Sequence, residues 1–434
     1  MSAATTLSIW HPFTQAHIDP RPLQVCRASG TYLYTTDGGR IIDAISSWWV
    51  NLHGHCHPRI ANAIAAQAQT LDHVLLAGFS HPPVERLTEK LRQIVPDVLT
   101  NIFYSDDGST AVEVALKLAV QYWANLGRPE KHEIVALEHA YHGDTAGAMS
   151  VSADSGFTQP FPHLRFPVHR VNSAYCSRCP VGKQRNECAI ECLEALKNTL
   201  EKNSRNIAAV IVEPLLQGAG GMIVHPVEFL QGIRRLCDEY SVLLIADEVL
   251  TGFGRCGKMF ACDIAGIAPD LMCLSKGITG GFLPLGATLC TESIRAEFVG
   301  PHQVFFHGHS YTANPLACAA AVANLEIFDS DEVWQRIHAI TARHEQRLLP
   351  FRSNSNVHEV RQIGTIAAIE LKAPDAGYFS AVKPRLYEFF LKRGVLLRPL
   401  GHVIYVLPPY CIGAEDLNYV YDVIEEGIEL AAPR

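Results

Sequence analysis

Short apolar runs with the length of β-strands alternate with amphipathic helical patterns through the middle of the chain. Six runs have this strand-like character: "NIFYS" (101–105), "EIVAL" (133–137), "IAAVIVEP" (207–214), "VLLIADE" (242–248), "LMCLS" (271–275) and "GATLC" (286–290). After Gly108, apolar residues recur with the spacing of one helix face, at Ala111, Val114, Ala115 and Leu118. Strands that alternate with helices predict a mainly parallel sheet covered on both faces, which is an α/β fold.

The pattern changes at about residue 330. A long helical segment, "DEVWQRIHAITARHEQRLLPF", is followed by the strand-like runs "IAAIEL" and "VIYVLPP" and by a last amphipathic helix. We therefore predict a smaller α+β domain at the carboxyl end. We expect strands near the amino end of the chain to form part of it. The predicted division is an amino-terminal segment at 1–60, a large domain at 61–325 and a small domain at 326–434.

Composition excludes several classes of protein. The chain has 434 residues, of which 48% are hydrophobic and 18% charged, so it is long enough for two domains with a large core. Its net charge of −8, without a cluster of Lys and Arg among aromatics, argues against nucleic-acid binding. No apolar run approaches the roughly 18 residues of a membrane span. The start lacks the features of a secretory signal, and thirteen scattered cysteines suit reduced thiols, so we expect a cytoplasmic protein.

Lys276 ends an apolar run and is followed at once by Gly277, Gly280 and Gly281. A lysine amine reacts with carbonyl compounds when it is neutral, and burial favours the neutral form. The glycines allow a flat cofactor or a phosphate to approach the backbone closely. Considered alone, however, a lysine followed by glycine is usually a solvated surface residue.

Asp247 changes the interpretation of this lysine. It ends the predicted strand "VLLIADE", at the edge of the sheet where ligands of open α/β folds bind. A carboxylate is costly in such a buried place unless it has a partner. Pyridoxal phosphate supplies one, because its ring nitrogen pairs with an Asp while its aldehyde reacts with a Lys. Asp247 and Lys276 together predict a pyridoxal phosphate site.

Two further stretches suit the same cofactor. Gly108 and Ser109 open the predicted helix after "NIFYS", where free N–H groups and the helix dipole bind phosphate. The alternative is a helix N-cap without a ligand. Tyr141, in "LEHAYHGDT", follows another predicted strand and is placed to stack on the cofactor ring, although simple packing explains such an aromatic equally well.

Motifs along nearly the whole chain carry a family resemblance. They are "SDDGSTAVEVALK", "YHGDT", "VEPLLQGAGGM", "IADEVLTGFGRCGKMFA", "LSKGITGG" and "HGHSYTANPLACAAA". In this order they resemble the class III aminotransferases, which are fold type I pyridoxal phosphate enzymes with a large and a small domain. More narrowly, "WHPFTQ", "ISSWWVNLHGHCHP" and "LRPLGHVIYVLPPY" resemble the branch that aminates 8-amino-7-oxononanoate to 7,8-diaminononanoate in biotin synthesis.

The resemblance implies roles for particular residues. Lys276 holds the cofactor and moves a proton, Asp247 keeps the ring nitrogen protonated, and Tyr141 covers the ring, which makes these three the catalytic set. Part of the phosphate site comes from a second subunit, so the resemblance implies a homodimer with a shared active site. The residues expected to bind the cofactor are Gly108, Ser109, Tyr141, Asp247, Lys276, His309 and Ser310.

The resemblance also implies how the small-molecule substrates are bound. Arg398 pairs with the far carboxylate of 8-amino-7-oxononanoate, since its planar fork binds a carboxylate bidentately. Trp48 lines the substrate channel, whereas we interpret Trp49 as ordinary core. The residues expected to bind substrate are Phe13, Trp48, Tyr141, Lys276, Gly308, Arg398 and Tyr405.

The amino donor is less closely specified. Many members that use S-adenosylmethionine read "HPYT" and "HGPTFM", whereas this chain reads "HPFT" at Phe13 and "HGHSYT" at 307–312, as in the lysine-using branch. The intact "SSWW" and "IYVLPPY" favour S-adenosylmethionine. Another ω-aminotransferase acting on a diamine or ω-amino acid is an alternative. A non-catalytic regulator that binds pyridoxal phosphate is a further one, although residues 1–50 show no helix-turn-helix pattern.

Four cysteines lie close together in "YCSRCPVGKQRNECAIEC". Their C-x2-C-x8-C-x3-C spacing is compatible with a structural zinc site, and the alternative is a cysteine-bearing surface insertion of the kind that several class III relatives carry. The spacing is not that of a complete zinc ribbon, so we predict no metal. The cysteines are Cys176, Cys179, Cys188 and Cys192.

Overall fold

The computed structural model describes residues 9–15, 22–373 and 377–431. The strands are β1 (Val25–Ser29), β2 (Tyr32–Thr35), β3 (Arg40–Asp43), β4 (Leu99–Ser105), β5 (Glu133–Leu137), β6 (His169–Val171), β7 (Ile207–Val212), β8 (Leu216–Gln217), β9 (Ile223–Val224), β10 (Leu243–Asp247), β11 (Leu271–Leu274), β12 (Gly286–Thr291), β13 (Val357–Ile363), β14 (Ile366–Leu371), β15 (Val395–Leu396) and β16 (Val403–Val406). The helices are α1 (Ser46–Trp49), α2 (Pro58–Ala68), α3 (Pro82–Ile94), α4 (Gly108–Asn125), α5 (Ala146–Val151), α6 (Glu194–Asn203), α7 (Val227–Glu239), α8 (Ala261–Ala265), α9 (Glu292–Ala296), α10 (Pro315–Leu325), α11 (Asp331–Leu348), α12 (Val382–Lys392) and α13 (Ala414–Ala431).

A seven-stranded sheet with the order β4-β12-β11-β10-β7-β5-β6 forms the centre of the molecule. Strands β11, β10, β7, β5 and β6 pair in parallel, and β12 is antiparallel to both of its neighbours. Every residue of β7 and β10 is buried, because helices cover both faces. The predicted α/β fold with a mainly parallel sheet is confirmed, and it is the fold type I architecture.

The predicted strands correspond closely to the observed ones. β5 and β14 have the predicted bounds, and β7, β10, β11 and β12 differ from the predicted runs by one or two residues at an end. The helix predicted after Gly108 is α4, whose buried face includes the four apolar residues of the predicted stripe. These strands were predictable because a buried strand is a short, mainly apolar run.

Two smaller sheets join the ends of the chain. One has the order β1-β2-β3-β15, and the other is the antiparallel sheet β13-β14-β16. In the first, β15 pairs in parallel with β3, with Val395 opposite Ile42. Amino-terminal strands therefore share a sheet with a carboxyl-terminal strand. The boundaries of the three predicted segments stay a prediction.

The helices and the cysteines of the structure can be compared with the predictions made from composition. Within the described ranges, no helix has both the length and the apolar character that crossing a membrane requires. Each of the thirteen cysteines is a free thiol.

Candidate active site

A cavity of about 780 Å³ lies at the carboxyl ends of the central strands. Tyr141, Glu213, Asp247 and Lys276 follow or end β5, β7, β10 and β11 respectively, so parallel pairing brings them to one edge of the sheet. The structure gathers most of the predicted site residues around this cavity. They are Phe13, Trp48, Gly108, Ser109, Tyr141, Asp247, Lys276, Arg398 and Tyr405.

Lys276 begins a short 3-10 turn, Lys276–Thr279, with a φ of 40°. Its Nζ lies 5.0 Å from the centre of the Trp49 ring and has no hydrogen-bond partner within the described part of the chain. Burial lowers the pKa of Lys276, and the carboxylates of Asp247 and Glu213 act in the opposite direction. The net effect favours the neutral amine, which is the form that reacts with a carbonyl carbon.

Asp247 is held by two hydrogen bonds in a buried place. Its Oδ2 lies 2.7 Å from Nδ1 of His142, and its Oδ1 accepts the backbone N–H of Val249 at 3.1 Å. His142 is buried as well, and its Nε2 has no partner among the described residues. The pair places a carboxylate of fixed orientation at the end of β10.

The amino end of α4 is prepared to bind an anion. Asp107 is the N-cap: its Oδ1 accepts the N–H of Thr110 at 2.8 Å, while Thr110 Oγ1 accepts the N–H of Asp107 at 3.0 Å. This capping box leaves the N–H groups of Gly108 and Ser109 without partners in the described ranges. The N-cap alternative therefore involves Asp107 and Thr110, and it does not occupy the two residues predicted to bind phosphate.

The backbone beside Ser109 and the polar groups of the cavity suit pyridoxal phosphate. A Cβ on Gly143, which has a φ of 127°, would lie 2.2 Å from Ser109 Oγ, so only glycine fits there. Thr145 also holds Ser109, because its backbone N–H donates a hydrogen bond to Ser109 Oγ at 3.0 Å. Lys276 would hold the aldehyde carbon, Asp247 the ring nitrogen, and the amino end of α4 the phosphate. The residues present fit the cofactor.

Aromatic side chains line the part of the cavity that surrounds the guanidinium of Arg398. The Arg398 guanidinium lies 5.1 Å from the Trp48 ring and donates a hydrogen bond to the carbonyl oxygen of Phe13 at 2.6 Å. The rings of Phe13 and Trp48 meet edge to face at 5.3 Å. Tyr405 is buried, with its ring 5.9 Å from that of Trp49. A fixed cation beside apolar rings suits a substrate with a carboxylate on an apolar chain.

The short segment α1, which carries the two tryptophans, is a turn with an unusual backbone and not a regular helix. Four successive residues, Ser46–Trp49, have positive φ angles, which cost about 1–3 kcal/mol each in a non-glycine residue. Asp43 holds this turn: its Oδ1 accepts the N–H of Ser47 at 2.9 Å, and its Oδ2 accepts the Ser47 hydroxyl at 2.8 Å. Oδ2 also lies 2.8 Å from Nε2 of His55. This network fixes where Trp48 and Trp49 point.

Sequence reasoning missed several residues that line the cavity. The sequence predicts Trp49 as core, and it is buried in the core, but it also lines the cavity and lies beside Lys276. His142 follows the predicted Tyr141 directly in "YHGDT", which was the signal available for it. Of the others, Asp144 and Glu213 lie in the quoted motifs "YHGDT" and "VEPLLQGAGGM", whereas nothing in the local pattern marked Phe157 and Tyr378.

Three predicted residues, Gly308, His309 and Ser310, do not line this cavity. They lie in an exposed segment, where His309 Nε2 is 3.4 Å from Oδ1 of Asp106. Their predicted contact with the cofactor of a second subunit stays a prediction.

The four clustered cysteines surround a small cavity of about 20 Å³. Burial raises the pKa of Cys192 to about 11, and the thiols of Cys176, Cys179 and Cys188 act in the same direction. Among the described residues, no group of His, Cys, Asp or Glu side chains has the arrangement of metal ligands.

Comparisons with known proteins agree with this geometry. Residues 14–428 match the profile of the family Aminotransferase class-III. Adenosylmethionine-8-amino-7-oxononanoate aminotransferase of Synechococcus elongatus is 48% identical over 96% of this chain and 97% of its own. The enzyme of that name from Geobacter sulfurreducens is 42% identical over 97% and 95%.

Solved structures give the same result. The crystal structure of adenosylmethionine-8-amino-7-oxononanoate aminotransferase from Methanocaldococcus jannaschii superimposes with a TM-score of 0.91, at 37% identity over 98% of each chain. An amine transaminase from an uncultivated Pseudomonas species, in its PLP-bound form, gives a TM-score of 0.90 at 32% identity, over 98% of this chain and 99% of that one.

Proposed function

Because the chain belongs to the class III aminotransferases, which depend on pyridoxal phosphate, we propose that it transaminates 8-amino-7-oxononanoate to 7,8-diaminononanoate with S-adenosylmethionine as the amino donor. The observation that carries the substrate assignment is Arg398, held over Trp48 in the same cavity as Lys276. A fixed guanidinium beside apolar rings matches a keto acid whose carboxylate ends an apolar chain.

The chain's own residues account for the steps of the reaction. When bound, pyridoxal phosphate stores the donor's amino nitrogen and spreads negative charge away from the reacting carbon. Lys276 Nζ would accept the proton from the substrate carbon that bears the amino nitrogen, and would pass it to the carbon on the other side of that nitrogen. Asp247, oriented by His142, would keep a proton on the ring nitrogen of the bound cofactor. Trp49 packs beside Lys276 and keeps water away from the amine.

Arg398 orients the amino acceptor. Its guanidinium has one N–H donated to the carbonyl oxygen of Phe13, and its remaining N–H groups are available for a substrate carboxylate. A carboxylate held there fixes how deep the keto carbon enters the cavity that contains Lys276.

A homodimer with shared active sites is part of the proposal. Gly308, His309 and Ser310 are exposed and lie outside their own chain's cavity. Next to them, Phe306 and Tyr311 are 82% and 63% exposed, which suits coverage by a second copy of the chain. A cytoplasmic location is proposed as well, because the cysteines are free thiols. Sedimentation velocity tests the dimer, and a monomer with full activity would contradict it.

Half-reactions test the proposed function directly. The cofactor absorbance of the purified enzyme is followed after addition of S-adenosylmethionine or lysine in separate samples. 8-Amino-7-oxononanoate is then added to whichever sample has lost its absorbance. Loss with S-adenosylmethionine and recovery with the keto acid support the proposal. Loss of the absorbance with lysine alone would make lysine the donor, which is the alternative that Phe13 and "HGHSYT" favour. A response only to other ω-amines would place the chain among the general ω-aminotransferases.

A further inference from the structure

Glu213 is a buried carboxyl group that the mechanism above does not use. It follows β7, is 6% exposed and lines the cavity that contains Lys276. Its Oε1 accepts the backbone N–H of Tyr141 at 2.9 Å, and its Oε2 accepts that of Gly218 at 2.9 Å. Within the described part of the chain it forms no ion pair, although buried carboxylates usually have one. Both oxygens keep a lone pair for a further donor.

Several charged and titratable groups face Glu213. Burial raises the pKa of Glu213 to about 7, Asp247 on β10 acts in the same direction, and His142 beside Tyr141 opposes both. In turn, the carboxylate of Glu213 favours a charged amine at Lys276. The phenol of Tyr141 also responds to Glu213, which raises its pKa together with burial and Asp144. The carboxyl therefore lies in the electrostatic field of the reacting centre, with its pKa raised above the ordinary value for glutamate.

An amino donor enters such a site as an ammonium ion, because aliphatic amines are protonated at neutral pH. It must lose a proton before its nitrogen can attack a carbon atom. With the cofactor bound, Lys276 would be engaged by it, so its free amine would not be available for this proton. Asp247 is engaged with His142 and with the backbone of Val249. The other carboxylates of the cavity are engaged by side chains or by a helix cap: Asp107 caps α4, Asp106 faces His309, and Asp144 pairs with the phenol of Tyr141. Glu213 is hydrogen-bonded only to two backbone N–H groups within the described residues.

We propose that Glu213 binds the ammonium group of the amino donor and removes one of its protons, a step that rests on the aminotransferase function proposed above. The N–H bond of the ammonium breaks, its electron pair stays on nitrogen, and an O–H bond forms on a carboxylate oxygen of Glu213. In the second half of the reaction the proton returns to the amino group of the product, which leaves as an ammonium ion. Glu213 ends the cycle as it began.

Glu248 provides a matched control. It too is a buried glutamate, and burial raises its pKa to about 7. Its oxygens accept the hydroxyl of Thr251 and the N–H groups of Ala261 and Cys262, and it does not line the cavity. Glu213→Gln and Glu248→Gln therefore remove the same charge from a buried position, but only the first removes it from the cavity.

The test compares the donor half-reaction of the two holoenzyme variants with the wild type between pH 6 and 9.5. For Glu213→Gln we expect kcat/KM to fall about 100-fold at pH 7, and the loss to shrink about tenfold per pH unit as the neutral donor becomes abundant. Glu248→Gln should keep the wild-type pH profile, and Glu213→Asp should recover part of the rate. A Glu213→Gln profile parallel to the wild type would overturn the proposal, because loss of Tyr141 positioning lowers the rate equally at every pH.

Infrared difference spectra give a readout independent of turnover. Mixing holoenzyme with the donor at pH 7.5 should produce the C=O band of a newly protonated carboxyl group in the wild type and in Glu248→Gln, but not in Glu213→Gln. The same band in all three proteins would overturn the proposal. Both tests use whichever amine reacts with the wild type, from S-adenosylmethionine, lysine and 1-phenylethylamine. Failure of S-adenosylmethionine would thus contradict the proposed donor without deciding the role of Glu213.

Discussion

Nδ1 of His142 lies 2.7 Å from Oδ2 of Asp247, and both side chains are buried. Removing His142 leaves the carboxylate with one partner, the N–H of Val249, and frees it to rotate. A hydrogen bond to a charged group contributes about 1.5–3 kcal/mol. We therefore expect His142→Ala to weaken pyridoxal phosphate binding by about 10- to 100-fold, measured by titrating the apoprotein. His132→Ala, at an exposed position, serves as the control, and equal affinities in both variants would contradict this role.

Lys276 links the active site to the pH dependence of stability. Burial holds its pKa in the folded chain below the unfolded value of 10.5. Between those two values the unfolded chain binds more protons, so the free energy of unfolding rises with pH in that window. We expect apoprotein carrying Lys276→Met to be more stable than the wild type at pH 7, with the difference shrinking as pH approaches 10.5.

Urea unfolding of apoprotein at several pH values checks this expectation. Lys202→Met, at an exposed position on α6, should leave the pH dependence unchanged. The Lys276→Met protein should also lack transamination while keeping its circular dichroism spectrum. Identical pH slopes in the wild type and Lys276→Met would show that burial does not destabilise the charged amine.

Replacing Arg398 should weaken the binding of the keto acid 8-amino-7-oxononanoate selectively. Replacing it with Ala removes the bidentate partner of the keto acid's carboxylate, which costs about 1.5–3 kcal/mol. We expect KM for 8-amino-7-oxononanoate to rise about 10- to 100-fold, while an analogue that lacks the carboxylate reacts as it does with the wild type. Arg398→Lys keeps the charge but not the fork, so it should recover only part of the affinity. If both acceptors lost activity equally, Arg398 would be holding the turn at Trp48 instead of the carboxylate.

Phe157 connects the cofactor side of the cavity to its aromatic wall. Its ring meets those of Tyr141, Phe13 and Tyr378 edge to face, with centres 5.8, 5.6 and 4.7 Å apart. Each such pair contributes about 0.5–1.5 kcal/mol. We expect Phe157→Ala to lower the free energy of unfolding by about 1.5–4.5 kcal/mol and to admit bulkier ω-amines, measured by urea unfolding and by competition between amines. Phe161→Ala, on an exposed ring nearby, should change neither, and an unchanged amine preference in Phe157→Ala would assign the ring to packing alone.

Local patterns predicted the central sheet and the centre of the site. β5 in the central sheet and β14 in the sheet β13-β14-β16 were predictable to the residue because each is a short, mainly apolar run with a single glutamate, Glu133 or Glu370. Asp247 and Lys276 were recognisable because a charged residue at the end of such a strand needs a reason to be there. Gly108 and Ser109 followed from the start of the next helix. In each case the informative residues lie within a few positions of one another.

Features that depend on distant parts of the chain were not predictable in this way. The hydrogen bond of Arg398 to Phe13 spans 385 positions, so no local pattern marks the pair. Phe157 and Tyr378 are loop residues whose meeting depends on how the two parts of the chain pack. Glu213 lies in a quoted motif, "VEPLLQGAGGM", but its burial without an ion pair becomes visible only in three dimensions. The positive φ angles of Ser46–Trp49 contradict the ordinary preferences of Ser and Trp.

The pairing of β3 with β15 has a consequence for the order of events at the ribosome. Ile42 pairs with Val395, Ala44 accepts the N–H of Leu407, and the hydroxyl of Ser46 donates to the carbonyl of Leu407. These partners leave the exit tunnel some 350 residues after the tryptophan turn has been made. During synthesis the turn therefore has only the nearby Asp43 to hold its strained backbone, and the nascent chain emerges with its substrate wall unformed. The enzyme gains its specificity only when translation is nearly complete.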